Sequence, residues 1–344
     1  MAHNRTHTKF YFAALSFTAI LFFMLDIVLG SVSISIKEIF DVFFSADKVE
    51  PYISNIIINF RLPRACVALL AGVALSVSGL QMQTVFRNPL ADPYILGVSS
   101  GASLGVALFL LGSSIFSIIL PTLVSNFCIA SAAFIGSALT LFLVLIVSIR
   151  IRDIMTVLIF GIMFSAAATA IVGLLQYMSS ESALKTFVVW TLGNLGGATF
   201  GEIKIMFILT LIGLMIVIFS IKKLNVLLLG DVYAQTVGVN LKFTRIIIFI
   251  STSLLTGQVV AFCGPVGFIG IAVPHIARMF FRRADHRILF PACILLGANI
   301  MLFCDIISQF PGSNMVIPIN IVVAFVGIPV IIRIILSNKK IIHE

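Results

Sequence analysis

Charge is scarce in this chain. Only 10% of its 344 residues are Asp, Glu, Lys or Arg, whereas a water-soluble domain usually carries about 25%. That excludes a soluble globular class, because no core of this size could hide so much apolar surface. Catalytic signatures are missing too. There is no GxxxxGKS loop, so ATP is not bound by that route. Nor is there an HExxH, a GxSxG, or a carboxylate pair with a nearby His. The five cysteines, Cys66, Cys128, Cys263, Cys293 and Cys304, form no CxxC pair and lie in or beside apolar runs. They read as small hydrophobes, not as metal or redox ligands. The net charge of +9 does not point to nucleic acid, because the cations flank apolar runs instead of sharing a face.

What is present is hydrophobic length: 60% apolar residues, with 31 phenylalanines. Stretches of about 20 apolar residues cross a bilayer. The pattern predicts an all-α polytopic membrane protein forming one transmembrane domain over 1–344. Ten spans are expected near 10–30, 56–85, 94–111, 115–149, 154–178, 203–221, 243–262, 266–281, 288–308 and 316–336. Region 93–149 has no charged residue, and the Gly112-Ser113-Ser114 turn is expected to divide it. The first run is long for a signal peptide and lacks a small-x-small cleavage site, so it reads as a span. Lys and Arg favour cytoplasmic loops. With the N-terminus inside, sixteen of the 22 cations fall on the cytoplasmic side and six (Lys37, Lys48, Arg61, Arg64, Lys185 and Lys204) on the outer side. An even span count returns the Lys339-Lys340 tail to the cytoplasm, which places both termini there.

Three interruptions of the apolar pattern carry information. In FRNPLADPYILGVSSGASLG, from Phe86 to Gly105, Pro89 and Pro93 break the helix, and Asn88 and Asp92 can cap its neighbours. The small residues that follow, including Gly97, Ser99 and Ser100, suit either close helix packing or the wall of a path. In LLLGDVYAQTVGVNLKFTR, from Leu227 to Arg245, a short helix begins at Asp231 and ends by Gly238. It is either a headgroup-level surface helix or a docking knob, within a cytoplasmic loop at 226–242. In CGPVGFIGIAVPHIARMFFRRADHR, Gly264-Pro265 makes an outer turn, and Pro274 predicts a broken helix of the kind that lines transporter paths. Gly72, Gly79 and Pro89 share their spacing with Gly257, Gly264 and Pro274. Five spans separate the two sets, so the relation would be an inverted repeat. Asp26 and Asp305 lie near the outer ends of their spans, and His275 and His286 flank a cytoplasmic end. With no carboxylate expected at mid-membrane, a proton-coupled carrier is the alternative reading, and an intramembrane enzyme is the weaker third.

The segments RLPRACVALLAGVALSVSGLQMQTVFRNPLADPYILGVSSGASLG, VVWTLGNLGGATFGEI, LLLGDVYAQTVGVN, GPVGFIGIAVPHIAR, DHRILFPACILLGA and IPINIVVAFVGIPVII run in order from about residue 55 to 336. They resemble the membrane permease of type II ABC importers, the family that imports ferric siderophores, haem and cobalamin. The resemblance implies ten helices per subunit and a homodimer with the pore at its interface. It also implies a cytoplasmic ATPase dimer, an extracytoplasmic binding protein, no cofactor, and a place in the cytoplasmic (inner) membrane. Gly230, Asp231, Ala234, Gln235, Gly238 and Val239 would meet the ATPase, and Arg61 and Arg64 would meet the binding protein. Met155 and Thr156 fall at the inner gate, in the Arg152 to Thr156 region. Two departures stand out. Gln309 occupies a position where many relatives carry Arg, and Val316 to Asn320 reads VIPIN where relatives often read E-[LI]-P-[VI]-G.

Overall fold

The computed structural model describes residues 2–30, 32, 34–44, 50–115, 126–151, 153–309 and 315–338. Lys48, Arg152, Lys339 and Lys340, and the first ten residues of the fourth span after Ile115, lie outside the described residues. Fourteen α-helices follow in order: α1 Ala2–Val28, α2 Ile36–Phe44, α3 Pro51–Ile56, α4 Leu62–Val85, α5 Val98–Ile115, α6 Asn126–Arg150, α7 Ile154–Met178, α8 Glu181–Thr191, α9 Phe200–Leu227, α10 Asp231–Thr236, α11 Leu241–Cys263, α12 Ile269–Phe281, α13 His286–Ser308 and α14 Ile319–Asn338. Among the described residues, seven stretches are long and apolar enough to cross a bilayer, and three shorter apolar helices lie within α5, α12 and α14. Together they match the expected ten. The amphipathic helix α2 and the helix α8 are additions, and α10 is the short helix expected at Asp231.

α4 is the axis of the molecule. Nearly all of it is buried, and it packs against α9, α11, α12 and α13, with α1 beyond. Its small residues explain how so many neighbours fit. Gly72 lies on the backbone of Gly297 in α13, and Gly79 lies on the backbone of Gly270 in α12. Lipid tails supply no hydrophobic drive between helices, so close packing of small residues has to supply it. A second set, α5 to α8, packs around α5, and α11 joins the two through α6 and α9.

Prolines are absorbed by neighbours. Pro274 has no N–H for the Gly270 carbonyl. Gln83 Nε2 in α4 donates to that oxygen at 3.3 Å and to Ile271 O at 3.2 Å. α12 therefore runs through Pro274 unbroken, which corrects the expectation of a discontinuous helix. At Pro63 the missing donor coincides with one wide turn, Ile57–Arg61, in which the Leu62 amide reaches back to Ile57 O. Two other expectations are revised. Gly112, Ser113 and Ser114 lie inside α5, so they do not form the dividing turn. The shared glycine spacing is not an equivalence of environment. Gly79 lies within α4, but Gly264 ends α11 with φ +75; Pro89 is in a turn, but Pro274 is within α12.

Candidate functional site

At the Arg- and Lys-rich end, the 226–242 loop is built around one carboxylate. Gly230 takes φ +105 and Gly238 φ +85, conformations that only glycine adopts without strain, and they bracket α10. Asp231 opens that helix. Its Oδ2 accepts from Arg245 Nη2 of α11 at 2.7 Å and lies 3.5 Å from Arg87 Nη2, just after α4. Arg245 is buried, and Arg87 is half-exposed. One side chain thus ties the short helix to both long buried helices of the core. Asn240 closes the loop by capping α11 at the Phe243 amide, 3.0 Å.

Of the residues expected to meet an ATPase, Gln235 and Gly238 are exposed, while Gly230, Asp231 and Val239 are partly so. Ala234 is fully buried and seats the helix instead of presenting a surface. Four residues that sequence reasoning passed over form the outward face: Leu229, Val232, Tyr233 and Val237, all exposed. Only Val232 and Tyr233 lie in α10, and Leu229 and Val237 flank it; the available signal was a run of apolar residues in a loop otherwise marked by turn and cap residues. Beside this loop a cavity of 540 Å³ is lined by Gln235, Val239, Lys242, Arg245 and the end of α6, including Arg150 and Ile151.

Met155 and Thr156 lie at the start of α7. Both are exposed. Asp153 caps the helix, accepting from the Met155 amide at 3.2 Å, the Thr156 amide at 3.0 Å and the Thr156 hydroxyl at 2.7 Å. The Thr156 hydroxyl, then the amides, hold the Asp153 carboxyl below its ordinary range. The Gly97 to Gly105 stretch is mostly packing. Gly97 has φ +81, and Gly101 and Gly105 let α5 lie on Gly136 and Ala132 of α6. Ser99 and Ser100 are half-buried.

At the opposite end, both arginines expected to dock a partner are engaged within the chain. Arg61 is buried and donates to the carbonyls of Ile27, Val28 and Val32, closing the C-terminus of α1. Arg64 grips Asp305: Nε donates to Oδ1 at 3.0 Å and Oδ2 at 2.9 Å, and Nη2 to Oδ1 at 2.8 Å. Gln309, which stands where many relatives carry Arg, is buried and donates to Asp26 at 2.8 Å and to Asp305 at 3.4 Å. The other departure also has a role, since Asn320 accepts from the Gly267 amide at 3.3 Å. His286 is structural, bridging Asn225 of α9 at 2.7 Å and Thr84 of α4 at 2.8 Å.

Comparison with known proteins agrees with this architecture. The model of the FecCD transport family matches residues 18–337. The hemin transport system permease protein HmuU of Yersinia pestis is 35% identical over 287 residues, covering 83% of this chain and 84% of the relative. A vitamin B12 import system permease protein, BtuC of Escherichia coli O9:H4, is 34% identical over 283 residues, covering 82% and 84%. A solved structure described as an inward-facing conformation of a metal-chelate type ABC transporter superposes with a TM-score of 0.81 at 28% identity, covering 95% of this chain and 99% of the other.

Proposed function

This chain belongs to the FecCD transport family, and from that premise we propose that it is the permease subunit of an ABC importer, carrying a bulky metal chelate across the cytoplasmic membrane. Ferric siderophore, haem and cobalamin are the cargo classes; relatives named for hemin and vitamin B12 support the last two. A separate ATPase dimer drives the step. The observation that carries this reading is the exposed apolar face of α10, clamped through Asp231 to α4 and α11. Val232 and Tyr233 of this six-residue helix, with Leu229 and Val237 flanking it, form an apolar surface that is costly to leave wet and that fits a partner's groove. Movement of that partner reaches the core through the Asp231 to Arg245 and Arg87 links.

The pore lies between two copies of the chain. α7 exposes most of its apolar length and α14 one apolar stripe, among them Ile162, Met163, Phe325 and Ile328. Mid-α7 also presents Ala166, Ala167, Thr169 and Ala170, a small, neutral wall. Such a wall suits cargo that has to leave again. Both termini face the cytoplasm. A binding protein docks on the outer face. With Arg61 and Arg64 turned inward, its acidic groups meet the exposed Lys37, Lys185 and Lys204, and Arg64 joins when Asp305 releases it.

The test is uptake in proteoliposomes containing the permease, its ATPase and its binding protein. Ferric siderophore, haem and cobalamin are offered in turn, with and without ATP. ATP-dependent uptake of one cargo, abolished by Asp231→Arg, is expected. Uptake that ignores ATP and follows a proton gradient would overturn the reading.

A further inference from the structure

The cluster at the outer ends of α1, α4 and α13 holds more acid than its donors can satisfy. Asp26 is 1% exposed and Asp305 is 0% exposed. One amide nitrogen, Gln309 Nε2, bonds to both carboxyls, so the two groups lie within a single amide's reach of each other. The Arg64 guanidinium is turned onto Asp305 by three bonds and onto Ser308 by a fourth, at 3.1 Å. Arg61, the other cation facing α1, gives its terminal nitrogens to three backbone carbonyls. Among the described residues, Asp26 Oδ2 is then left buried with no hydrogen-bond donor. A buried, donor-less carboxylate oxygen beside a second carboxylate is costly twice over, by desolvation and by like-charge repulsion. Among the described residues, the groups that face Asp26 from packed neighbours are Asp305 and Gln309 from α13 and its end, Arg64 from α4, and Arg61 from the wide turn before it.

We propose that Asp26 is a proton-binding site, with the proton on Oδ2 and the neutral carboxyl donating to the Asp305 carboxylate. The proton removes the repulsion, supplies the missing donor, and leaves Arg64 paired with one carboxylate. It also explains how α1 is held. That helix is mostly turned away from the rest of the chain, and the cluster is its polar attachment to the core at this end, alongside the Arg61 clasp. Gln309 suits this arrangement better than a cation would, because its amide bridges the two groups without demanding that both be ionised. The inference rests on the cluster's geometry and holds whichever cargo is carried.

The experiment uses the full chain in lipid nanodiscs. Infrared spectra in H₂O and D₂O at neutral pH report a protonated carboxyl by its C=O stretch. Thermal midpoints are measured from neutral to alkaline pH for the wild type, Asp26→Asn and Asp26→Leu. An amide mimics the neutral acid, since it can both donate and accept. The expected result is a deuterium-sensitive acid band in the wild type that Asp26→Asn removes. Asp26→Asn should hold the neutral-pH midpoint, and Asp26→Leu, which can donate nothing, should lower it. The wild-type midpoint should fall as alkali strips the proton, and that of Asp26→Asn should not. No acid band in the wild type, a band that persists in Asp26→Asn, or an Asp26→Asn protein that fails to fold or melts as early as Asp26→Leu would each overturn the proposal.

Discussion

Replacing Gly72 by Ala probes the contact on which the whole bundle turns. The added methyl would sit 2.7 Å from the carbonyl carbon of Gly297 and 2.7 Å from Met301 Cβ, and nearer still to the carbonyl oxygen; ordinary contact begins at 3.4 Å. These neighbours are backbone and Cβ atoms, so no side-chain rotation relieves the clash. α4 and α13 must separate, and the bond from Ser76 Oγ to Cys293 O, 2.8 Å and one turn along, goes with the separation. Overpacking of this kind costs about 1–3 kcal/mol, and the lost hydrogen bond about 1 kcal/mol. Against this, Ala is favoured over Gly within a helix by about 1 kcal/mol. The net expectation is a loss of about 1–3 kcal/mol. Gly173→Ala in α7 is the control, because no atom lies within 4 Å of its added methyl. It receives the propensity gain without the clash and should be unchanged or slightly stabilised. Both variants are unfolded by denaturant titration of the full chain in micelles, with hydrogen exchange followed in α4 and α13. If Gly72→Ala unfolds with Gly173→Ala and protection in α4 is unchanged, the close-packed seam is not what holds these helices.

Other outcomes follow from the same geometry. Arg64→Leu alone strands the buried Asp305 charge and should cost about 3–5 kcal/mol, while Arg64→Leu with Asp305→Leu should recover part of it; thermal melts of both variants and of the wild type decide this. Val232→Ser with Tyr233→Ser should leave the melting midpoint near wild type and abolish transport-coupled ATP hydrolysis, since the changes fall on the exposed face of α10. The Asp153 carboxyl titrates below its usual range, so its cap is fully present above the unfolded Asp value of about 3.9 and fades as pH falls through the folded value. Hydrogen exchange at the Met155 and Thr156 amides should accelerate only at that acid end, and should be fast at all pH values in Asp153→Ala. Lys185→Cys and Gln235→Cys should react with an impermeant maleimide from opposite sides of the membrane; labelling from one side would refute the orientation.

The amino-acid sequence by itself determined the class and, in outline, the number of apolar spans. Scarce charge and long apolar runs leave few alternatives, because backbone polar groups in lipid must be satisfied within the helix. It also marked the 226–242 loop, since Gly230, Asp231 and Gly238 are local turn and cap signals that need no distant partner. Tertiary structure decided what those signals could not. Pro274 looked like a break, and only the arrival of Gln83 from another helix at the Gly270 carbonyl keeps α12 whole. Arg61 and Arg64 looked like outward cations, but their long side chains turn inward to carbonyls and a carboxylate more than two dozen positions away in sequence. Ala234 and Val232 are both apolar and both local to α10, yet one is buried and one exposed because α10 has α9 and α11 on only one side. The Asp26, Asp305 and Gln309 cluster joins residues from opposite ends of the chain. Helix formation is a local event, whereas the pairing of buried charge depends on which helices meet, and that is set only when the bundle closes.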